Sequence, residues 1–163
     1  MAALYPVAGC KISIGGPMTP QSDPFVAADF TGETWVPIGG WTTMGGFGDT
    51  AQLITSDVID EGRTKKLKGT RNAGSMANVF NNDPLDEGQI ALAAAEETLL
   101  NYAFKVELND NDGGTGATNS IRYFIGLVMS AADAGGGANT PQSFNATVEI
   151  NSNVVKVPAV AGT

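Results

Sequence analysis

Histidine is absent from this chain, cysteine occurs once, and only nine lysines and arginines face seventeen aspartates and glutamates. Without histidine there is no proton shuttle near neutral pH, no imidazole metal ligand and no Ser-His or Cys-His nucleophile pair. Hydrolytic chemistry of the common kinds is therefore not expected. The single thiol, Cys10, forms no intrachain disulfide, so the fold must rest on its core and on neighbours, which suits synthesis in a reducing cytoplasm. Long apolar runs are missing as well: none approaches the roughly 18 residues of a spanning helix, and no membrane insertion is expected. No cationic segment precedes an apolar one at the N-terminus, so nothing marks export. The stretch "VAGC" at 7–10 looks like a lipoprotein cleavage box, but no Lys or Arg precedes Cys10 and Pro6 interrupts the lead. The shortage of cations leaves a formal charge of −8, which opposes general adhesion to phosphate backbones or anionic membranes.

What the sequence does hold is 42% hydrophobic residues, 21 glycines and only 16% charge, the balance of one loop-rich globular domain spanning 1–163 rather than of a disordered chain. Three segments alternate apolar and polar positions with the period of a half-buried strand. In "YAFKVEL", Tyr102, Phe104, Val106 and Leu108 share a face. In "SIRYFIGLVMS", Ile121, Tyr123, Ile125, Leu127 and Met129 share one face, while Phe124 and Val128 make the other partly apolar. Residues 120–130 are thus expected to be a central or subunit-facing strand. "FNATVEI" sets Phe144, Ala146, Val148 and Ile150 together. Weaker strand patterns occur at 11–14, 34–38, 51–58, 64–69, 75–80 and 154–157. Pro37 belongs at an edge, and "NSN" at 151–153 reads as a hairpin turn.

One helix is predicted. Asp83 as N-cap, Pro84 at the first helical position, and Asp86 and Glu87 in the first turn point to a helix over about 84–99. Leu85, Leu92 and Leu99 recur every seven residues, with Ile90 and an Ala-rich flank, as a stripe for packing or for an interface. Two long Gly/Pro-rich connections, 15–33 and 131–142, look made to contact something.

Motifs for chemistry fail one by one. The carboxylate pairs Asp60-Glu61, Asp86-Glu87 and Glu96-Glu97 read as solvated faces. "NDNDGG" at 109–114 begins like a calcium loop, but its sixth position is Thr115 and its twelfth is Ile121. "GGTGAT" at 113–118 has no Lys and opens no helix. No catalytic, cofactor or metal residues are assigned. What remains is "RTKKLKGTR" at 63–71, which holds five of the nine cations: Arg63, Lys65, Lys66, Lys68 and Arg71. Asp57, Asp60 and Glu61 precede it, and Asp83, Asp86 and Glu87 follow. It can be a nucleic-acid grip, a solvated charged hairpin, or a contact with an acidic segment of an identical neighbour.

From "TWVPIGGWTTMGGFGDTAQLIT" through "KKLKGTRNAGSMANVF", then "DPLDEGQIALAAAEE", "YAFKVEL", "RYFIGLVMS" and "ATVEINSNVVKVP", the chain resembles the major tail proteins of long, non-contractile phage tails. "KGTRNAGS" followed by "DEGQIALAAA" carries the resemblance most specifically. It implies a mainly β fold, a tail-tube-type β-sandwich or barrel with one flanking helix and long loops, related to the tube protein of type VI secretion. It further implies homo-hexameric rings stacked into a hollow virion tube around a tape-measure protein, meeting a tail terminator at one end and distal tail or baseplate proteins at the other. Double-stranded DNA later passes through, and no cofactor takes part. The family's loop between early strands, ordered by stacking, falls on about 57–71, which favours the intersubunit reading of the basic stretch. Ending at Thr163, the chain is expected to carry no immunoglobulin-like decoration. The alternatives are a type VI secretion-like ring protein and a monomeric β-sandwich binding module, which would need Trp35 and Trp41 as an exposed aromatic platform.

Overall fold

Alternating apolar residues build the main sheet. The computed structural model describes residues 2–163, in which ten strands and one α-helix follow in the order β1 (Lys11–Pro17), β2 (Val36–Pro37), β3 (Trp41–Thr43), β4 (Thr50–Ser56), β5 (Lys65–Asn72), β6 (Ser75–Asn81), α1 (Glu87–Glu96), β7 (Tyr102–Glu107), β8 (Ile121–Ala134), β9 (Ser143–Ile150) and β10 (Val155–Val157). The main sheet is antiparallel in the order β2-β1-β7-β8-β9-β6-β3, with β10 also beside β8; β4 and β5 form a separate two-stranded sheet. β2 and β3 end the path on opposite sides, yet only three residues separate them in the chain. The sheet therefore curls round, and residues 36–43 bridge its seam. Ile38 N donates to Ile12 O at 3.0 Å on one side of the seam, and Asn81 N donates to Gly40 O at 2.7 Å on the other. Pro37 sits in the short edge strand, where its missing N–H is harmless.

Inside the curl lie Ile12, Ile14, Met76, Phe80, Phe104, Val106, Phe124, Phe144 and Val148, all buried, with Phe104 stacked on Phe124 at 5.6 Å between ring centroids. A second, smaller cluster covers the outer face of the same strands. There the segment after β1, including a 3₁₀ turn at Ala27–Phe30, lays Phe25 and Phe30 over Ala103 and Ile125, and Trp35 stacks on Tyr123 at 5.8 Å. β8 is thus apolar on both faces because this chain covers both, and it is central in the sheet. The connection at 15–33 is accordingly an ordered cover, and the one at 131–142 shrinks to 135–142 because β8 runs on to Ala134.

Three sequence expectations change. Residues 151–153 do not turn a hairpin: β9 and β10 both pair antiparallel with β8, β9 from Gly126 onward and β10 with Ile121–Tyr123. They run in one direction on one edge, and "NSN" is a break between them. Polar side chains fill it: Ser152 Oγ accepts from Ile125 N at 3.0 Å, and the Asn153 amide clamps Phe25 N (2.8 Å) and Phe25 O (3.0 Å). A short strand at 41–43 went unread. The helix is also shorter than 84–99. Asp83 organises the preceding turn, accepting from Leu85 N at 3.0 Å, while Asp86 is the N-cap and accepts from Gln89 N at 2.9 Å.

Asp86 prevails because its carboxylate also accepts from Gly39 N at 3.1 Å in the seam. Buried Gln89 completes the tie: its Nε2 donates to Gly39 O (3.0 Å) and Asn81 O (2.8 Å), and its Oε1 accepts from Asp83 N (3.0 Å). A Cβ on Gly88 would collide with the Pro37 carbonyl oxygen and Ile38 Cα. "DEGQ" is therefore the clasp that docks α1 across the seam. Of the predicted leucine stripe only Leu92 is buried. Leu85 and Leu99 lie outside the helix, and both are exposed, as is Ile90.

Candidate subunit-contact surfaces

The basic stretch lies on a β-hairpin that pairs with no strand of the main sheet. Asp57, Asp60, Glu61 and Arg63 occupy its tip, and Lys65, Lys66, Lys68 and Arg71 line β5. The register sets Ser56 opposite Lys65, Thr55 opposite Lys66, Ile54 opposite Leu67 and Leu53 opposite Lys68, with a bulge between Ala51 and Leu53. Every residue of the two strands is exposed except Ala51 and Gly69, which are half-buried. A lone two-stranded hairpin is marginal in water. Its strands need another surface to become a stable sheet.

Charge pairing inside the hairpin is partial. Lys65 Nζ meets Glu61 at 2.9 Å, and at the root Arg71 meets Asp49 at 3.4 Å. Those two bridges are the only ion pairs among the described residues, so Arg63, Lys66 and Lys68 have no carboxylate partner within this chain. Asp83 and Asp86, which sequence reasoning offered as acidic counterparts, are engaged in the turn and the cap described above.

Sequence reasoning missed the apolar half of this surface. Leu53 (61% exposed), Ile54 and Leu67 (67% exposed) stand in solvent on the hairpin. Ile54 and Leu67 face each other and border a shallow cleft of about 340 Å³ with Thr55, Ser56, Lys65 and Lys66. The alternation of "AQLITSDV" was the available signal; it identifies a strand but not what its apolar face meets. Leu85, Ile90, Leu99 and Leu100 form further exposed apolar points around α1.

The acidic loop at 109–114 is a local hydrogen-bonded knot. Asp110 accepts from the Ser120 amide at 2.8 Å and from the Ser120 hydroxyl. These bonds, with the charge of Arg122, hold its carboxyl below the ordinary aspartate range. Asp112 accepts from the Gly114 and Gly162 amides, which lower it likewise. Trp35 and Trp41 are both half-buried. Trp41 stacks on Phe80 and donates its indole N–H to Asn78 at 3.2 Å, so packing within this chain accounts for much of both rings. Among the described residues no helix is long and apolar enough to cross a membrane.

No family model matches the sequence, and no curated protein matches it in sequence. Solved structures do match in fold. The sheath/tube terminator of PVC, an extracellular contractile injection system, gives a TM-score of 0.66 at 12% identity over 96% of this chain and 98% of that one. The tube-terminating cap of the anti-feeding prophage gives 0.64 at 14% identity over 97% and 95%. The SPP1 tail tube gives 0.62 at 13% identity over 94% and 80%. Near-complete coverage in both directions makes the likeness one of whole domains: the chain has the mainly β tail-tube fold, with its large antiparallel sheet and one helix.

Proposed function

We propose that this chain is a structural subunit of a phage tail tube, of the long non-contractile kind, that works by assembly and without a cofactor. The observation that carries the reading is the β4–β5 hairpin: on a domain with the tail-tube fold, it holds two open-edged strands, unpaired cations and exposed Leu53, Ile54 and Leu67 away from the main sheet. Such a hairpin gains a stable environment against another surface, and in this reading that surface belongs to another copy. Asp57, Asp60, Glu61, Arg63, Lys65, Lys66, Lys68 and Arg71 are its charged contact residues, and Leu85, Ile90 and Leu99 are added apolar points at subunit boundaries around the buried Leu92. The assembly is a homo-hexameric ring stacked into a hollow virion tube around a tape-measure protein, ending at a tail terminator and at distal tail or baseplate proteins. Double-stranded DNA passes through it without specific contacts. The charge of −8 suits that passage, because a net-acidic ring repels phosphate and adds no affinity that would slow transit.

Negative-stain electron microscopy of the purified protein over a concentration series, paired with sedimentation, tests this. Long hollow tubes are expected, and a monomer at every concentration, even with tail-tip components added, would overturn it. A capping subunit is the second reading, favoured because a tube terminator and a tube cap share the fold as fully as a tube subunit does. It predicts single rings that never elongate, as a secretion-type ring protein also would.

A further inference from the structure

A groove beside the C-terminal end of α1 is matched in charge and apolar character to one face of the β4–β5 hairpin. Pro17, Met18, Pro20, Leu99, Leu100 and Asn101 line this groove, of about 200 Å³, and Met18 N donates to Asn101 O at 2.9 Å to fix its floor. Leu99 is 96% exposed, and Leu100 is exposed beside it. Immediately before them stand Glu96 and Glu97, both exposed. They lie at the end of the helix where the dipole is already negative, with no basic residue in the last turn and in neither ion pair among the described residues. Negative charge at that end is unfavourable unless a cation is brought to it.

The hairpin carries what the groove lacks. On one of its faces Leu53 sits opposite Lys68, and Thr55 opposite Lys66. That face offers one leucine and two cations, the cations two residues apart on a strand and so about 7 Å from each other. Neither cation has a carboxylate partner among the described residues of its own chain. The pairing is between unlike surfaces, so it is head-to-tail rather than self-complementary, an arrangement that gives a ring where its rotation closes and a filament where it does not. Position within the chain agrees with a contact made to another copy. Asn101 accepts from Asn151 at 3.0 Å, and Asn151 lines a cavity at the hairpin root with Arg71 and Asn72. Groove and root are therefore joined through Asn101 and Asn151, and a seven-residue strand of about 23 Å is long enough to reach from one copy to the next.

We propose that the groove formed by 17–20 and 99–101, with Glu96 and Glu97, receives the Leu53–Lys66–Lys68 face of the hairpin from a second copy of this chain lying in the same orientation. The inference rests on the assembly reading above and names the surfaces that would make it. In a Cys10→Ser background, Leu53→Cys and Leu100→Cys chains are prepared separately, mixed, assembled and oxidised. A disulfide-linked dimer is expected in the mixed sample alone. Charge exchange is the second measurement: Lys66→Glu with Lys68→Glu, and Glu96→Lys with Glu97→Lys, should each reduce the sedimenting fraction at least tenfold, and a mixture of the two variants should assemble again, because in alternation every hairpin meets a groove of opposite charge. All four changes in one chain should recover it. Tubes that form normally but give no cross-link in the mixed sample, or no recovery in the fourfold variant, overturn this contact while leaving the tube reading intact. A wild-type chain that never assembles overturns both.

Discussion

The main sheet and the two-stranded β4–β5 hairpin are both antiparallel, with strands of seven or eight residues in each, and both show apolar residues at strand spacing. They differ in what those residues touch. Met76, Phe104, Phe124 and Val148 are enclosed by other strands and by α1; Leu53, Ile54 and Leu67 are enclosed by nothing. The sheet covers its apolar residues within one chain, whereas the hairpin leaves its own in solvent. Stability should therefore reside in the first and assembly in the second, and substitutions can separate the two.

The largest effect on stability is expected in the sheet. Phe124 is fully buried, stacked on Phe104 and within 6.0 Å of the Phe47 ring centroid. Phe124→Ala should lower unfolding free energy by about 3–5 kcal/mol, combining lost burial with the cavity left behind. Urea unfolding followed by circular dichroism checks this. A loss below about 1 kcal/mol would mean that the cluster inside the curl is not the stabilising core.

The next effect tests the clasp. In an isolated helix Gly88→Ala would stabilise by about 1 kcal/mol. Here the added methyl meets the Pro37 carbonyl and Ile38 Cα, so overpacking should reverse the sign and destabilise by about 1–3 kcal/mol. The same unfolding experiment decides, because a gain in stability would show that α1 is not seated on the seam.

On the hairpin the stability effect should nearly vanish while assembly fails. Changing Lys65, Lys66 and Lys68 to Glu alters exposed groups and one exposed ion pair, so unfolding should shift by less than about 1 kcal/mol. The sedimenting fraction should fall to the monomer level. Normal tubes from this variant would remove the hairpin from the interface, and a large loss of stability would make it part of the single-chain fold.

The contrast explains what was legible in the sequence. Alternation in "YAFKVEL" and "FNATVEI" identified β7, β9 and their buried faces, because a period-two pattern with polar residues between is satisfied within one sheet. It also found strands in the hairpin, but alternation names two faces and not their neighbours, so exposed Leu53 and Leu67 could not be told from core residues. The helix boundary failed for a related reason. Asp83 with Pro84 and Asp86 with Gln89 are both valid starts locally, and only the contact of Asp86 with Gly39, 47 residues away, selects the second. "NSN" misled because polar residues between two strands mark a turn on average. Here Ser152 and Asn153 supply side-chain partners for the backbone across a break. The candidate site was legible as charge, through the clustering of Lys65, Lys66 and Lys68. Its apolar component and its matching groove required the tertiary structure.

The smallest effect lies in the loop knot, where the comparison can be sharpened by pH. Asp110 titrates below the ordinary aspartate value because the Ser120 hydroxyl and amide hydrogen-bond its ionised form, with a further contribution from Arg122. A lowered folded value means that its stabilisation is complete above the unfolded value of about 3.9 and is lost as pH falls through the folded one. The wild type should therefore be more stable in urea than Asp110→Asn at about pH 6, and the difference should shrink as pH falls through the lowered folded value. Because the group is largely solvated, the gap should be well under that of either sheet substitution. A difference between the two proteins that stays constant across this range would show that Ser120 binds the side chain without regard to its charge. Assembly measured near neutral pH should not respond to the substitution. If it did, the 109–120 loop would join the hairpin as part of the surface that other copies complete.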